Sequence, residues 1–153
     1  MYEVFISYTS ADERFARFVH KHLTDEGLVT FLAPISLSPG GQWSQETLAA
    51  LNSSRWVLFL ASRAACTAPY VLQEVGAAVA AKKELIPVVW DIQPSQLPGW
   101  ASQYQALNLA GKSASEVHQD IIAIAARIKG KKSEGLVIAG LLIAGLIAFG
   151  SKG

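Results

Sequence analysis

The feature that most constrains this chain is an alternation of short apolar runs with amphipathic segments. Runs rich in β-branched and aromatic residues predict strands at 2–7, 28–33, 55–61 and 84–90, with a short fifth strand at 104–109. The segments between them have helical spacing or composition. Because parallel strands need such crossover connections, the pattern predicts an α/β fold, an open five-stranded parallel sheet with helices on both faces. This order of elements is flavodoxin-like.

The helices are predicted from the spacing of their apolar residues. The first carries a buried stripe and stops at Gly27, a second starts near Trp43, and an alanine-rich third covers 69–82. The last covers 113–129. Pro87, inside the fourth predicted strand, indicates a local edge or bulge. The stripe of the first helix is Phe15, Phe18, Val19 and Leu23, and the inward-facing residues of the last are Val117, Ile121, Ile124, Ala125 and Ile128.

Length and composition limit the organisation and the partners. With 153 residues there is room for one domain and an appendage, which we place at 1–130 and 131–153. A net charge of +1 does not indicate a nucleic-acid partner. The single cysteine, Cys66, has no partner for an intrachain disulfide, and Met1 leads directly into a predicted strand with no signal sequence. We therefore expect a cytoplasmic domain.

The loops after the strands exclude several phosphate-binding classes. A Rossmann dinucleotide site needs GxGxxG after the first strand, but the loop there, SYTSAD, contains no glycine. A P-loop is excluded as well, because Gly40 and Gly41 are not followed by Lys and Ser or Thr. Phosphoryl transfer by these routes is therefore not predicted.

Metal chemistry and serine hydrolysis are not predicted either. A response-regulator magnesium site needs carboxylates at the ends of the first and third strands. This chain has uncharged residues at the first of these ends and Ser62 at the other. The sequence contains neither GxSxG nor a zinc-like spacing of Cys and His, and His20 and His22 would not face each other on a helix. We predict no metal site.

Four segments in order resemble the Toll/interleukin receptor (TIR) domain family. They are VFISYTSAD with its helix-starting Asp12, FLAPISLSPGGQW with a long loop at 34–43, the strand that ends near Ser62, and the helix with Tyr70 and Glu74. The resemblance covers residues 2–129. The type it resembles is the prokaryotic one that consumes NAD and carries a C-terminal membrane segment.

The resemblance implies that Glu74 is the catalytic carboxylate for cleavage of the bond between nicotinamide and ribose. A carboxylate suits this chemistry because departure of nicotinamide leaves an oxocarbenium-like ribose. NAD would be the substrate, with no cofactor. From the residues alone, Glu74 is read as a solvated charge near a helix start, and only the resemblance makes it a catalytic candidate.

The resemblance also implies a pocket wall around that carboxylate. Tyr70 precedes Glu74 by four residues and so lies on the same helical face, where it fits a ring-stacking residue or a packing residue. Trp43 fits a ligand contact or a residue that staples the loop to the helix. The remaining implied substrate-binding residues are Tyr8, Thr9, Ser10, Ala33 and Pro34.

The last segment differs in composition from the rest of the chain. Residues 135–150 carry no charged or polar side chain, and three lysines precede them. A helix of that length is about 24 Å long, slightly short for a hydrocarbon core of about 30 Å. We predict a hydrophobic helix that anchors the domain on the cytoplasmic face of a membrane, as a single-pass or tail anchor. A buried bundle or oligomerisation helix is the alternative.

Together these features predict a membrane-tethered effector that cleaves NAD when its TIR domains assemble into oligomers, in anti-phage or cell-suicide defence. It would be an NAD glycohydrolase, with or without cyclase activity. Two alternatives stay open. One is a non-enzymatic adaptor that acts through contacts between TIR domains, and the other is a clustering device whose tail disrupts the membrane.

Overall fold

The computed structural model describes residues 1–35, 44–67, 72, 75–76 and 83–132. Its strands are β1 (Val4–Thr9), β2 (Thr30–Ile35), β3 (Trp56–Leu60), β4 (Glu84–Val89) and β5 (Leu107–Asn108). Its α-helices are α1 (Glu13–Asp25), α2 (Gln45–Ser53), α3 (Arg63–Cys66), α4 (Gly99–Ser102) and α5 (Ala114–Lys132). Short 3-10 helices lie at Ser10–Asp12 and Pro94–Gln96.

The five strands form one parallel sheet in the order β2-β1-β3-β4-β5. Its residues pair without interruption from Val4 opposite Thr30 to Thr9 opposite Ile35. The predicted open parallel α/β sheet is therefore confirmed. The first two strands lie two residues further along the chain than predicted, and the fifth is only two residues long.

Helices cover both faces of the sheet, as predicted. On one face, alternate residues of β1 such as Val4 and Ile6 pack with α1 and α5. On the other face, Phe5 packs in a second core with residues of α2 and α3. Alternation of side chains along each strand divides the sheet between the two cores. The predicted inward stripe of α5 is confirmed at Ile121, Ile124, Ala125 and Ile128, which are at most 5% exposed, and half-buried Val117 packs against the same core.

Pro87 does not form a bulge, because β3 and β4 pair in continuous register through it. Its place is explained by the short β5, which pairs only with Val88 and Val89. Pro87 thus lies where β4 has no partner strand on the β5 side among the described residues. A residue without an N–H is tolerated at such a position.

The helix ends follow local capping chemistry. Ser44 caps α2, with its side chain accepting a hydrogen bond from the backbone N–H of Thr47. Gly27 follows α1 with φ of +92°, a conformation that favours glycine. Asp12 stands at the N-cap of α1, but its side chain makes no capping hydrogen bond. Its carboxylate instead accepts hydrogen bonds from the side chains of Thr9 and Ser62.

Most of the predicted third helix and the apolar tail lie outside the described residues. Of the predicted third helix, the structure describes Leu72, Val75 and Gly76, and all three are helical. Within the part of the chain that the structure describes, no helix is long and apolar enough to cross a membrane. The division of the chain at residue 130 and the membrane segment at 135–150 stay predictions.

Candidate functional site

The strand order creates a crevice at the carboxyl ends of β1 and β3. The chain passes from β1 to β2 on one side and returns across β1 to reach β3 on the other. Connections on the two sides of this point leave the sheet in opposite directions, and ligands of open α/β sheets bind outside the strands' carboxyl ends at such a point. The crevice between β1 and β3 is therefore the place to look for a site.

The predicted substrate-binding residues of β1 and β2 lie beside this crevice but differ in exposure. Ser10 and Pro34 are exposed, whereas Thr9 and Ala33 are completely buried. Tyr8 is only 4% exposed and packs in the core with α1 and α5. The backbone brings the five residues together, with only the side chains of Ser10 and Pro34 directed to solvent.

The buried position of Tyr8 follows from the length of β1. The strand continues to Thr9 and not only to Ser7, so Tyr8 is a strand residue that alternates with its neighbours. Burial raises the pKa of the Tyr8 phenol, and the nearby Glu13 carboxylate adds to the effect. Because the ordinary pKa of 10.0 already lies above physiological pH, the phenol stays protonated there.

Asp12 connects the ends of β1 and β3. Its Oδ2 accepts a hydrogen bond from Thr9 Oγ1 at 3.0 Å and another from Ser62 Oγ at 2.5 Å. Ser62 Oγ in turn accepts from the backbone N–H of Ala65, so it also caps α3. We call the two hydrogen bonds to Asp12 Oδ2 the Asp12 clamp. It holds the loops on either side of the crevice together.

A second contact extends this connection to β4. The backbone N–H of Arg63 donates to Asp91 Oδ1 at 2.8 Å, and the Arg63 guanidinium donates to the Asp91 carbonyl oxygen at 2.9 Å. Trp90, beside Asp91, packs edge-on against Phe15 of α1 with ring centroids 4.9 Å apart. The carboxyl ends of three adjacent strands are thus tied into one surface.

Glu74, Tyr70 and Trp43 lie outside the described residues, and their assigned roles stay predictions. Val75 and Gly76, which follow Glu74 in sequence, are described. Val75 is 1% exposed and packs in the same core as Phe59 and Ala61.

Gly76 brings the same segment close to an aromatic side chain. A Cβ at this position would lie 3.3 Å from the Trp100 ring, and that ring stacks on Phe59 with centroids 6.0 Å apart. Gly76 therefore lies against the Trp100 ring, with little space for a larger side chain at this position.

Besides the crevice, the described residues form a separate cavity but no metal-binding cluster. A cavity of about 350 Å³ opens between β4, β5 and α5, lined among others by Asn108, Lys112 and Arg127, and no predicted site residue contributes to it. In the described ranges, no three His, Cys, Asp or Glu side chains are grouped to hold a metal ion.

Sequence reasoning missed the Asp12 clamp and the contact between Arg63 and Asp91. The sequence predicts that Asp12 starts a helix and that Ser62 ends a strand, but their separation of 50 positions gives no local signal of contact. Polar residues at the ends of two neighbouring parallel strands were the available indication.

The architecture and this polar cluster define the class: a flavodoxin-like α/β domain with a candidate site at its switch point. Within that class, the chain belongs to the TIR domain family, whose model matches residues 4–122. The resemblance inferred from the sequence is confirmed at the level of the family.

One curated relative is a plant protein. It is named a probable 2′ cyclic ADP-D-ribose synthase, BdTIR, from Brachypodium distachyon, and is 32% identical over 98 residues. The match covers 63% of this chain and 44% of the relative. The chain therefore spans less than half the length of that relative.

Solved structures share the fold at lower identity. The TIR domains of the activated Roq1 resistosome align with a TM-score of 0.64 and 20% identity, over 80% of this chain and 98% of that one. A metazoan TIR-STING receptor from C. gigas aligns with a TM-score of 0.62 and 23% identity, over 82% of this chain and 40% of the receptor. These likenesses establish the fold.

Proposed function

We propose that this protein cleaves the bond between nicotinamide and ribose in NAD, with Glu74 as the catalytic carboxylate. The observation that carries the proposal is the similarity to the plant relative named as a cyclic ADP-D-ribose synthase. Cyclic ADP-ribose is NAD without its nicotinamide, so its formation from NAD requires that this bond breaks. The match to the TIR family model extends over residue 74.

The proposed reaction needs few groups. Nicotinamide leaves with the electron pair of its bond to C1′, and positive charge develops on the ribose, where a carboxylate such as Glu74 stabilises it. Attack on C1′ by water, which loses a proton to solvent, then gives ADP-ribose. Attack by a ring nitrogen of the same molecule, or by a hydroxyl that likewise loses its proton, gives a cyclic product.

The proposal includes assembly and location. The TIR resemblance implies activation by stacking, as is common among catalytic members of the family. We propose that residues 34–43 of one protomer complete the pocket of the next. We further propose that residues 135–150 hold the domain on the cytoplasmic face of a membrane, and that the activity serves anti-phage or cell-suicide defence. Clustering on a membrane would then favour the stacking that activity needs.

Chromatographic measurement of NAD and its products tests the enzymatic proposal, with and without reconstitution in lipid. We expect the assembled protein to consume NAD and Glu74→Ala to lose that activity. Asp25→Ala is the matched control, because Asp25 is an exposed carboxylate paired with Lys21 at the far end of α1. Equal NAD consumption by wild type and Glu74→Ala, or none by wild type in any assembled state, would contradict NAD cleavage by Glu74.

The same variants separate the alternatives. If the protein is a non-enzymatic adaptor, Glu74→Ala should still signal, whereas substitutions at 34–43 should abolish signalling. A membrane-disrupting device predicts toxicity that persists in Glu74→Ala and disappears when residues 133–153 are removed.

A further inference from the structure

The Asp12 carboxylate stands at the start of a helix but bonds to hydroxyl groups outside that helix. An aspartate at an N-cap normally accepts a hydrogen bond from a backbone N–H in the first turn of its own helix. Asp12 makes no such bond in α1. Its Oδ2 instead accepts from two hydroxyl groups, one at the end of β1 and one just beyond β3. The side chain therefore acts between strands.

Both donors are fixed and shielded from water. Thr9 is 0% exposed and Ser62 is 1% exposed, so loss of the carboxylate would leave two buried hydroxyl groups without their acceptor. Ser62 also caps α3, and the next residue, Arg63, binds Asp91 beyond β4. A shift at Asp12 would thus be transmitted to three loops that border the crevice.

We propose that Asp12 is a positioning residue for the reaction at the switch point: its carboxylate holds the loops after β1 and β3 at the separation that NAD cleavage needs. The inference rests on the proposed function for its substrate and on the Asp12 clamp for its mechanism. Asp12 acts through Thr9 and Ser62, and the clamp needs an oxygen acceptor and not a negative charge.

This mechanism predicts different effects for two substitutions. Asp12→Asn keeps an amide oxygen that can accept from both hydroxyl groups, whereas Asp12→Ala keeps no acceptor. Misplacement of reacting groups by about 1 Å can lower a rate by about 100-fold. We therefore expect Asp12→Ala to lower kcat by about 10- to 100-fold and Asp12→Asn to stay within about threefold of wild type.

The test measures kcat and KM for NAD in the assembled full-length protein. Asp25→Ala, at the other end of the same helix, is the matched control and should leave both constants unchanged. Thr9→Val removes one donor at nearly constant volume and should give an intermediate loss of kcat. Hydrogen exchange at the amides of residues 10–12 and 62–65 should rise in Asp12→Ala and not in Asp12→Asn.

The possible results are distinct. If wild type is active and Asp12→Ala has the same kcat as wild type, the positioning role is overturned and the proposed function stands. An equal loss of kcat in Asp12→Asn and Asp12→Ala would also overturn the positioning role, because the negative charge of Asp12 and not its hydrogen-bond geometry would then matter. Should Asp12→Ala fail to fold, full activity in Thr9→Val would overturn the clamp. A wild type without NAD activity overturns the proposed function, and this inference with it.

Discussion

At the scale of single residues, alternation along β1 decides which side chains join the apolar core and which join the polar cluster at the crevice. Tyr8 and Thr9 are neighbours in sequence, yet Tyr8 packs in the core with α1 and α5 while Thr9 donates to Asp12. Successive side chains of a strand point to opposite faces. The TIR resemblance assigns both residues to the pocket border, but in this structure only Thr9 belongs to the polar cluster at the crevice.

Cys66 illustrates how burial controls the chemistry of one side chain. Burial raises the pKa of its thiol from 9.0 to about 11, and the Asp91 carboxylate adds to this effect. We expect alkylation near neutral pH to be about 100-fold slower than for an ordinary cysteine, because the nucleophilic thiolate is that much scarcer. The rate with iodoacetamide in the folded protein, compared with the rate in guanidinium chloride, checks this, and equal rates would contradict it.

The same shift links Cys66 to stability in alkali. Below pH 9.0 the thiol is protonated in the folded and unfolded chains alike. As the pH rises from 9.0 to about 11, the unfolded chain loses this proton first, so the free energy of unfolding falls across that window. Denaturant unfolding of wild type and Cys66→Ala over this range should show a weaker pH dependence in the variant.

At the scale of elements, the period of apolar residues correctly predicted the buried face of α5. Ile128 is 1% exposed in the core with α1, whereas Ile122 on the same helix is 37% exposed. We expect Ile128→Ala to lower the free energy of unfolding by about 2 to 5 kcal/mol, because it leaves a cavity. Ile122→Ala should change it by about 0.5 kcal/mol or less.

Urea unfolding followed by near-UV circular dichroism measures both isoleucine variants. Similar losses in the two proteins would show that α5 does not pack by its predicted face. The boundaries of elements were harder to predict than their faces: β1 and β2 each end two residues beyond the predicted strands, since apolar composition changes gradually where a strand meets its loop.

At the scale of the whole molecule, the sheet brings residues that are distant in sequence to one edge. Its order places the ends of β1 and β3 side by side, and Asp12, Ser62, Arg63 and Asp91 join there through hydrogen bonds. Three loops thus form one surface at the switch point. A ligand bound there would touch segments from the first and second halves of the chain.

The tail gives a prediction at the same scale. We expect the full chain to float with phosphatidylcholine vesicles in a density gradient, because residues 135–150 present no polar side chain to lipid. A chain that ends at residue 132 should stay at the bottom. Flotation of both proteins, or of neither, would contradict membrane attachment through this segment.

The class of sheet, its helical covers, their buried faces and the family can all be predicted from the amino-acid sequence. These properties depend on periodic burial and on short ordered motifs, which are local and therefore visible in a linear chain. The burial of Tyr8 in the core and the contact of Asp12 with Ser62, 50 positions away, become visible only in the folded chain. Such contacts arise from strand order and register, which bring distant segments together and leave no periodic trace in the sequence.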